Sequence, residues 1–183
     1  HIDINSLKAD YILLTHAHGD HIADVEEVLE NHPDATLIAV PEICGYFNNA
    51  KNTNDVNLGG SAKIDDLKIS MVPAHHTSAF PDGSYGGVPV GYIFRFSDGK
   101  NVYLAGDTGV MADMQLFPQL YGNIDLSILP IGGHYTMCAR KAAFAASELL
   151  KSPKVIGCHF DTFPAIEIDH HEAKKHFDDK NIE

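Results

Sequence analysis

The sequence predicts a layered α/β fold in one domain spanning residues 1–183. Short apolar runs suited to buried strands alternate with amphipathic segments of helical period. No repeat, low-complexity tract or linker interrupts the 183 residues. With 44% hydrophobic and 21% charged residues, the composition is that of a globular chain rather than a disordered one.

The elements follow in order. Tyr11-Ile12-Leu13-Leu14-Thr15 is apolar and reads as a buried strand. From Ile22 to Asn31, Ile22, Val25, Val28 and Leu29 share one side of a helix, with Asp20 as its expected N-cap and Pro33 beyond its end. Thr36 to Val40 is a strand, and Pro41 suits the first turn of the next helix. Leu67 to Val72 and Val88 to Phe96 are strands on either side of a Ser-, Gly- and Pro-rich loop, 73–87, long enough to be functional. Asp98-Gly99 signals a hairpin into the strand Asn101 to Ala105. The last third predicts a helix over 112–121, a strand over 124–130, an Ala-rich helix over 139–150, a strand over 154–158 and a polar helix over 169–180.

Thirteen basic against 25 acidic residues give a net charge of -12, which disfavours a nucleic acid or an anionic membrane as partner. No stretch approaches the ~18 consecutive apolar residues of a membrane span. Three cysteines, Cys44, Cys138 and Cys158, lack C-x-x-C spacing and form no disulfide framework, so a cytoplasmic location is expected. Histidine is the anomaly: twelve residues, nearly as many as lysine and arginine together. Imidazole is the commonest metal ligand, so the placement of these twelve carries the functional reading.

The densest cluster is His16-Ala17-His18-Gly19-Asp20-His21. Residues two apart on an extended segment point to one side, so His16 and His18 can converge on one ion. Gly19 permits a tight turn that lets Asp20 and His21 face the same cavity. Four ligands within six residues can serve two adjacent ions.

Four separated elements in this order resemble the metallo-β-lactamase fold superfamily: His16 to His21, Pro73-Ala74-His75-His76-Thr77-Ser78, Ala105-Gly106-Asp107-Thr108, and Gly157-Cys158-His159-Phe160. The segments 129–137 and 159–164 are similar to a bacterial and archaeal branch of metal-dependent hydrolases akin to ascorbate-6-phosphate lactonase. The resemblance implies a four-layer αββα sandwich. It also implies one ion held by His16, His18 and His76, a second held by Asp20, His21 and His159, and Asp107 between them. His76 is selected over His75 by the family's Ala-x-His pattern, which leaves His75 in the pocket or in solvent. For His134, after two glycines, the resemblance implies a place facing the ions, where it would stabilise developing negative charge; a structural histidine that hydrogen-bonds its loop is the alternative. Asp20 is expected to help position the attacking water.

An imidazole-rich set suits Zn2+, and a bridging carboxylate also admits Mn2+ or iron. The implied activity is hydrolysis of a small ester, lactone or amide by a metal-bridged hydroxide. A phosphodiesterase of the same superfamily, an iron-dependent redox protein and a non-catalytic metal-binding protein are the alternatives. Relatives begin with a hairpin before the first histidine motif and end with one more strand, so this chain is expected to be abridged at both ends. An uncovered sheet edge invites a partner chain, leaving homo-oligomerisation open beside a small-molecule substrate. Arg140 or Lys141, near the Gly-rich turn, is a candidate contact for an anionic substrate, with a solvated helix residue as the default reading.

Overall fold

The structure, a computed structural model, describes residues 3–183. Its first sheet has three parallel strands, β1 (Tyr11–Leu13), β2 (Thr36–Ala39) and β3 (Asn52–Asp55), in that order. The chain passes from β1 to β2 through α1 (Gly19–Ile22) and α2 (Val25–Asn31), and from β2 to β3 through α3 (Pro41–Tyr46). The single helix expected over 22–31 is therefore two short ones. The N-cap expected at Asp20 also fails: the chain is still extended at His18 and turns helical at Gly19, so Asp20 lies inside the first turn. Its carboxylate faces a cavity instead.

The second sheet has six strands in chain order: β4 (Ser61–Ile64), β5 (Leu67–Pro73), β6 (Val90–Arg95), β7 (Asn101–Leu104), β8 (Leu126–Pro130) and β9 (Val155–Cys158). Pairing is antiparallel from β4 to β7 and parallel from β7 to β9. As a result β5, β7, β8 and β9 all run in one direction, and the loops that follow them leave from one end of the sheet. Among the described residues no strand precedes β1 and none follows the last helix.

Alternation along the central strands builds the layers. Met71 of β5 and Tyr92 of β6 join a core with Leu37, Ile38, Leu29 and Ile43 of the first sheet and its helices. Their neighbours Val72 and Ile93 point to the other face, into a second core completed by Phe117, Ala142 and Ala173. Those three come from α4 (Phe117–Tyr121), α5 (Ala139–Phe144) and α6 (His170–Asp178). Helices, sheet, sheet and helices give the four layers.

The helix expected over 112–121 begins as a 3-10 segment, Ala112–Leu116, and becomes α-helical only at α4, whose first turn accommodates Pro118. The Ala-rich helix widens into a π turn over Ala145–Leu150 and ends at Lys151, which adopts the left-handed conformation. Asp169 caps α6 by accepting from the His171 and Glu172 N–H groups. Among the described residues no helix is long and apolar enough to cross a membrane.

Three hydrogen bonds tie the sheets together where the site forms. The buried Tyr92 hydroxyl donates to the carbonyl oxygens of Leu14 (2.7 Å) and Ile38 (3.3 Å). The Val90 N–H donates to the Thr15 carbonyl at 2.9 Å. Together they hold the segment leaving β1 against the end of the sheet from which β5, β7, β8 and β9 emit their loops.

Candidate metal centre

Five segments converge at that end: 14–21 after β1, 74–78 after β5, 105–109 after β7, 131–138 after β8 and 159–166 after β9. The close approach depends on glycine at position 106, where φ is 61°. A Cβ there would lie 2.9 Å from Thr15 Cβ and 3.0 Å from the Val90 carbonyl oxygen. Hydroxyls pin the second segment from both sides. Ser78 Oγ accepts from the Ala17 N–H and donates to the Gly86 carbonyl, while Thr108 Oγ1 accepts from the His75 N–H.

The side chains gathered there are His16, His18, Asp20, His21, His76, Asp107 and His159. His16, His18 and His76 form one group whose ligand atoms lie within 4.8 Å of one another. Asp20, His21 and His159 form another, and His16, His21 and Asp107 a third that links them. Asp107 Oδ2 is the centre of the array, 3.1 Å from His159 Nε2, 3.5 Å from His21 Nε2 and His76 Nε2, and 3.9 Å from His16 Nε2. Asp20 Oδ2 stands 3.3 Å from His21 Nε2 and 3.6 Å from His159 Nε2.

These separations decide what the cluster is suited to hold. Most exceed the distance of a good N–H···O bond. They match the edges of a coordination shell, since ligands about 2.0–2.2 Å from a tetrahedral ion lie about 3.3–3.6 Å apart. His21 Nε2 is buried and has no hydrogen-bond partner, although two carboxylates surround it. A buried polar atom left unpaired is costly, and a cation at the centre relieves it. The donor set therefore fits divalent metal.

Electrostatics point the same way. Burial, reinforced by the facing His21 imidazole, pushes His16 down to about 3, so its ring is neutral at pH 7. Burial also lowers His76. Neutral imidazole is the form that binds metal. Burial opposes ionisation of Asp107, yet the imidazoles of His159 and His21 outweigh it and hold the carboxyl well below the usual range. The result is an ionised carboxylate facing two imidazoles that burial keeps neutral, His16 and His76, and the His159 ring, whose pKa is raised by its bond to Asp107.

The array opens into a cavity of about 530 Å³ lined by His18, Asp20, His76, Asp107 and His159. Thr77, Tyr135 and Phe163 complete its walls. An apolar cavity of about 400 Å³ between Val155, Phe160 and Phe177 holds no such cluster.

A beta-lactamase superfamily domain model matches residues 4–160. The chain belongs to that superfamily. A UPF0173 metal-dependent hydrolase of Flavobacterium johnsoniae is 49% identical over 180 residues, which are 98% of this chain and 78% of that protein. Another, from Thermococcus onnurineus, is 46% identical over 177 residues, 95% of this chain and 77% of its own. Among solved structures, Igni18, a metallo hydrolase from Ignicoccus hospitalis, is 39% identical. It superimposes with a TM-score of 0.82 over 95% of this chain and 73% of its own. The chain is thus a metal-dependent hydrolase of the beta-lactamase superfamily.

In this hydrolase His134 and the Arg140–Lys141 pair are not among the residues that line the cavity. His134 is exposed, and its ring centroid lies 4.4 Å from that of Tyr135. Two successive left-handed residues, Gly133 (φ 69°) and His134 (φ 49°), wind the turn so that Tyr135 reaches the cavity in its place. Arg140 and Lys141 line a separate cavity with Gly109, Val110, Phe144 and Lys180, away from the metal ligands. His75 is exposed, as the solvent reading of that residue expected. Tyr135, Phe163 and the buried Thr15 escaped the sequence reading. The first two lie in quoted motifs, but a lone aromatic in a polar loop carries no period that marks it as a wall.

Proposed function

We propose that this hydrolase holds a pair of divalent ions and hydrolyses a small ester, lactone or amide. The observation that carries the reading is the pairing of two ligand groups, His16–His18–His76 and Asp20–His21–His159, with Asp107 Oδ2 within reach of both. Five imidazoles against two carboxylates favour Zn2+ over the harder Mn2+. Bound there, the ions supply Lewis acidity and make water acidic enough to ionise near neutrality.

The chain's own residues do the rest. The Asp107 carboxylate, buried and ionised, sets the spacing of the two groups. Asp20 is half exposed in the cavity, so it is the one carboxylate of the site that water reaches freely. It orients the attacking water and takes up its proton at a carboxylate oxygen. Water adds to the acyl carbon, the acyl C–O or C–N bond breaks with its electron pair going to the leaving atom, and that atom receives the proton. The cavity walls exclude bulk water and hold the substrate's carbonyl against the cluster.

Elemental analysis of the purified protein together with a hydrolysis survey tests the reading. Two equivalents of one transition metal and turnover of lactones or carboxylic esters are the expected results. Preference for phosphodiesters would move the assignment to that class. Two bound ions with no turnover on any panel would leave a metal-binding protein.

A further inference from the structure

Tyr135 and Phe163 sit in the same cavity as the ligand cluster and leave large apolar surface in water, 52% and 39% exposed. Their ring centroids are 6.2 Å apart with planes at 55°. They come from different loops, after β8 and β9, which touch backbone to backbone. A Cβ on Gly132 would lie 2.2 Å from the His159 carbonyl oxygen.

Both rings stand on turns that are bonded internally. In the first, the Gly133 N–H donates to the Met137 carbonyl and the Thr136 N–H to the Gly133 carbonyl. In the second, the Ile166 N–H donates to the Phe163 carbonyl and the Asp161 N–H to the Ile166 carbonyl, while the Asp161 carboxylate accepts from the Ile168 N–H and pairs with His170. Neither ring caps the hydrophobic cores, so their exposure is not a by-product of packing. Such a rigid, contiguous pair binds apolar matter at low ordering cost.

The charges of the cavity complete the argument. Neither lysine nor arginine lines it, and its carboxylates are Asp20 and Asp107. A phosphate or carboxylate borne by a substrate at a distance from the reacting carbon would meet no cation on these walls.

We infer that Tyr135 and Phe163 form the wall that receives an uncharged, apolar arm of the substrate, so that the enzyme takes alkyl- or aryl-substituted lactones and esters rather than phosphorylated ones. This rests on the hydrolase reading above and names its substrate class. Tyr135 and Phe163 are specificity residues here, not groups that take part in bond breaking.

The test uses the chain loaded with zinc and two readouts. The first is kcat/KM for γ-lactones of increasing alkyl length, from γ-butyrolactone to γ-decalactone, and for a lactone carrying a phosphate ester at the end of its arm. The second is calorimetric binding of octanoate against acetate. In the wild type each added methylene should raise kcat/KM by about fourfold until the wall is filled, chiefly through KM. Phe163→Ala and Tyr135→Ala should each lower the long-to-short ratio by about tenfold and lower the octanoate-to-acetate affinity ratio in step, with metal content unchanged. Tyr135→Phe should keep both ratios. A flat lactone series, a preference for the phosphorylated lactone, or ratios unmoved by either alanine variant would overturn the inference. Absence of turnover with the octanoate preference intact, and lost in Phe163→Ala, would instead remove the hydrolase reading and leave the apolar wall supported.

Discussion

Thr15 Oγ1 lies 3.1 Å from His16 Nδ1, on the far side of a ring whose Nε2 stands 3.1 Å from His18 Nδ1. Both residues are buried. With the proton on Nδ1 and donated to the threonine oxygen, Nε2 keeps its lone pair and its aim toward the cluster. Outer partners of this kind fix the tautomer of a ligand histidine.

Thr15→Val keeps the shape of that side chain and deletes the acceptor. Metal affinity, measured by competition with a chromophoric chelator, should fall by about 10–100-fold. An unchanged affinity would show that packing alone orients the His16 ring.

Metal should stabilise the fold, because its ligands come from four segments that only the folded chain brings together. Free zinc at 100 times its dissociation constant should add about 2.7 kcal/mol for one site. The unfolding midpoint in a thermal or denaturant scan should rise accordingly and return on chelation. Magnesium, which demands oxygen ligands, should do far less at the same concentration.

Tyr92→Phe removes the hydroxyl that joins the two sheets at the Leu14 and Ile38 carbonyls. Leaving buried acceptors without that donor should cost about 1–3 kcal/mol in urea unfolding. Because Leu14 lies two residues before His16, metal affinity should weaken as well. A loss below about 0.5 kcal/mol, the size of a neutral surface change, would rule out the tie.

Asp125 gives a prediction with pH. The Asn101 N–H bonded to its carboxylate at 2.9 Å, followed by Lys100, holds its pKa below the usual value. A depressed carboxyl stabilises the fold above its unfolded pKa of about 4 and loses that contribution as pH falls through the folded value. Asp125→Asn should therefore be less stable than wild type at pH 7, and the gap between their urea midpoints should close toward pH 3. A gap constant across that range would assign the effect to something other than ionisation.

Particular residues show why some of the fold could be read in advance and some could not. Strands β5 to β7 are legible because their apolar residues meet a core on both faces, as Met71 and Val72 do. Strand β3 is Asn-Thr-Asn-Asp, polar at the edge of a sheet, and only its pairing with β2 makes it a strand. The break of the first helix at Ala23 and Asp24 and the π turn at Ala145–Leu150 are likewise tertiary outcomes, since nothing in their composition opposes a continuous helix.

At the site, the spacing of His16, His18, Asp20 and His21 announces ligation because local geometry alone can turn those four groups toward one cavity. The chain also determines the acidic balance, the histidine excess and the alternation that yields layers. Which distant residues meet them was decided by tertiary structure. The parallel course of β5, β7, β8 and β9 delivers His76, Asp107, Tyr135 and His159 to one end of a sheet. Left-handed turns at Gly133 and His134 then exchange an expected imidazole for a phenol. Side-chain direction after a turn depends on φ values that residue type biases but only the packed neighbours select.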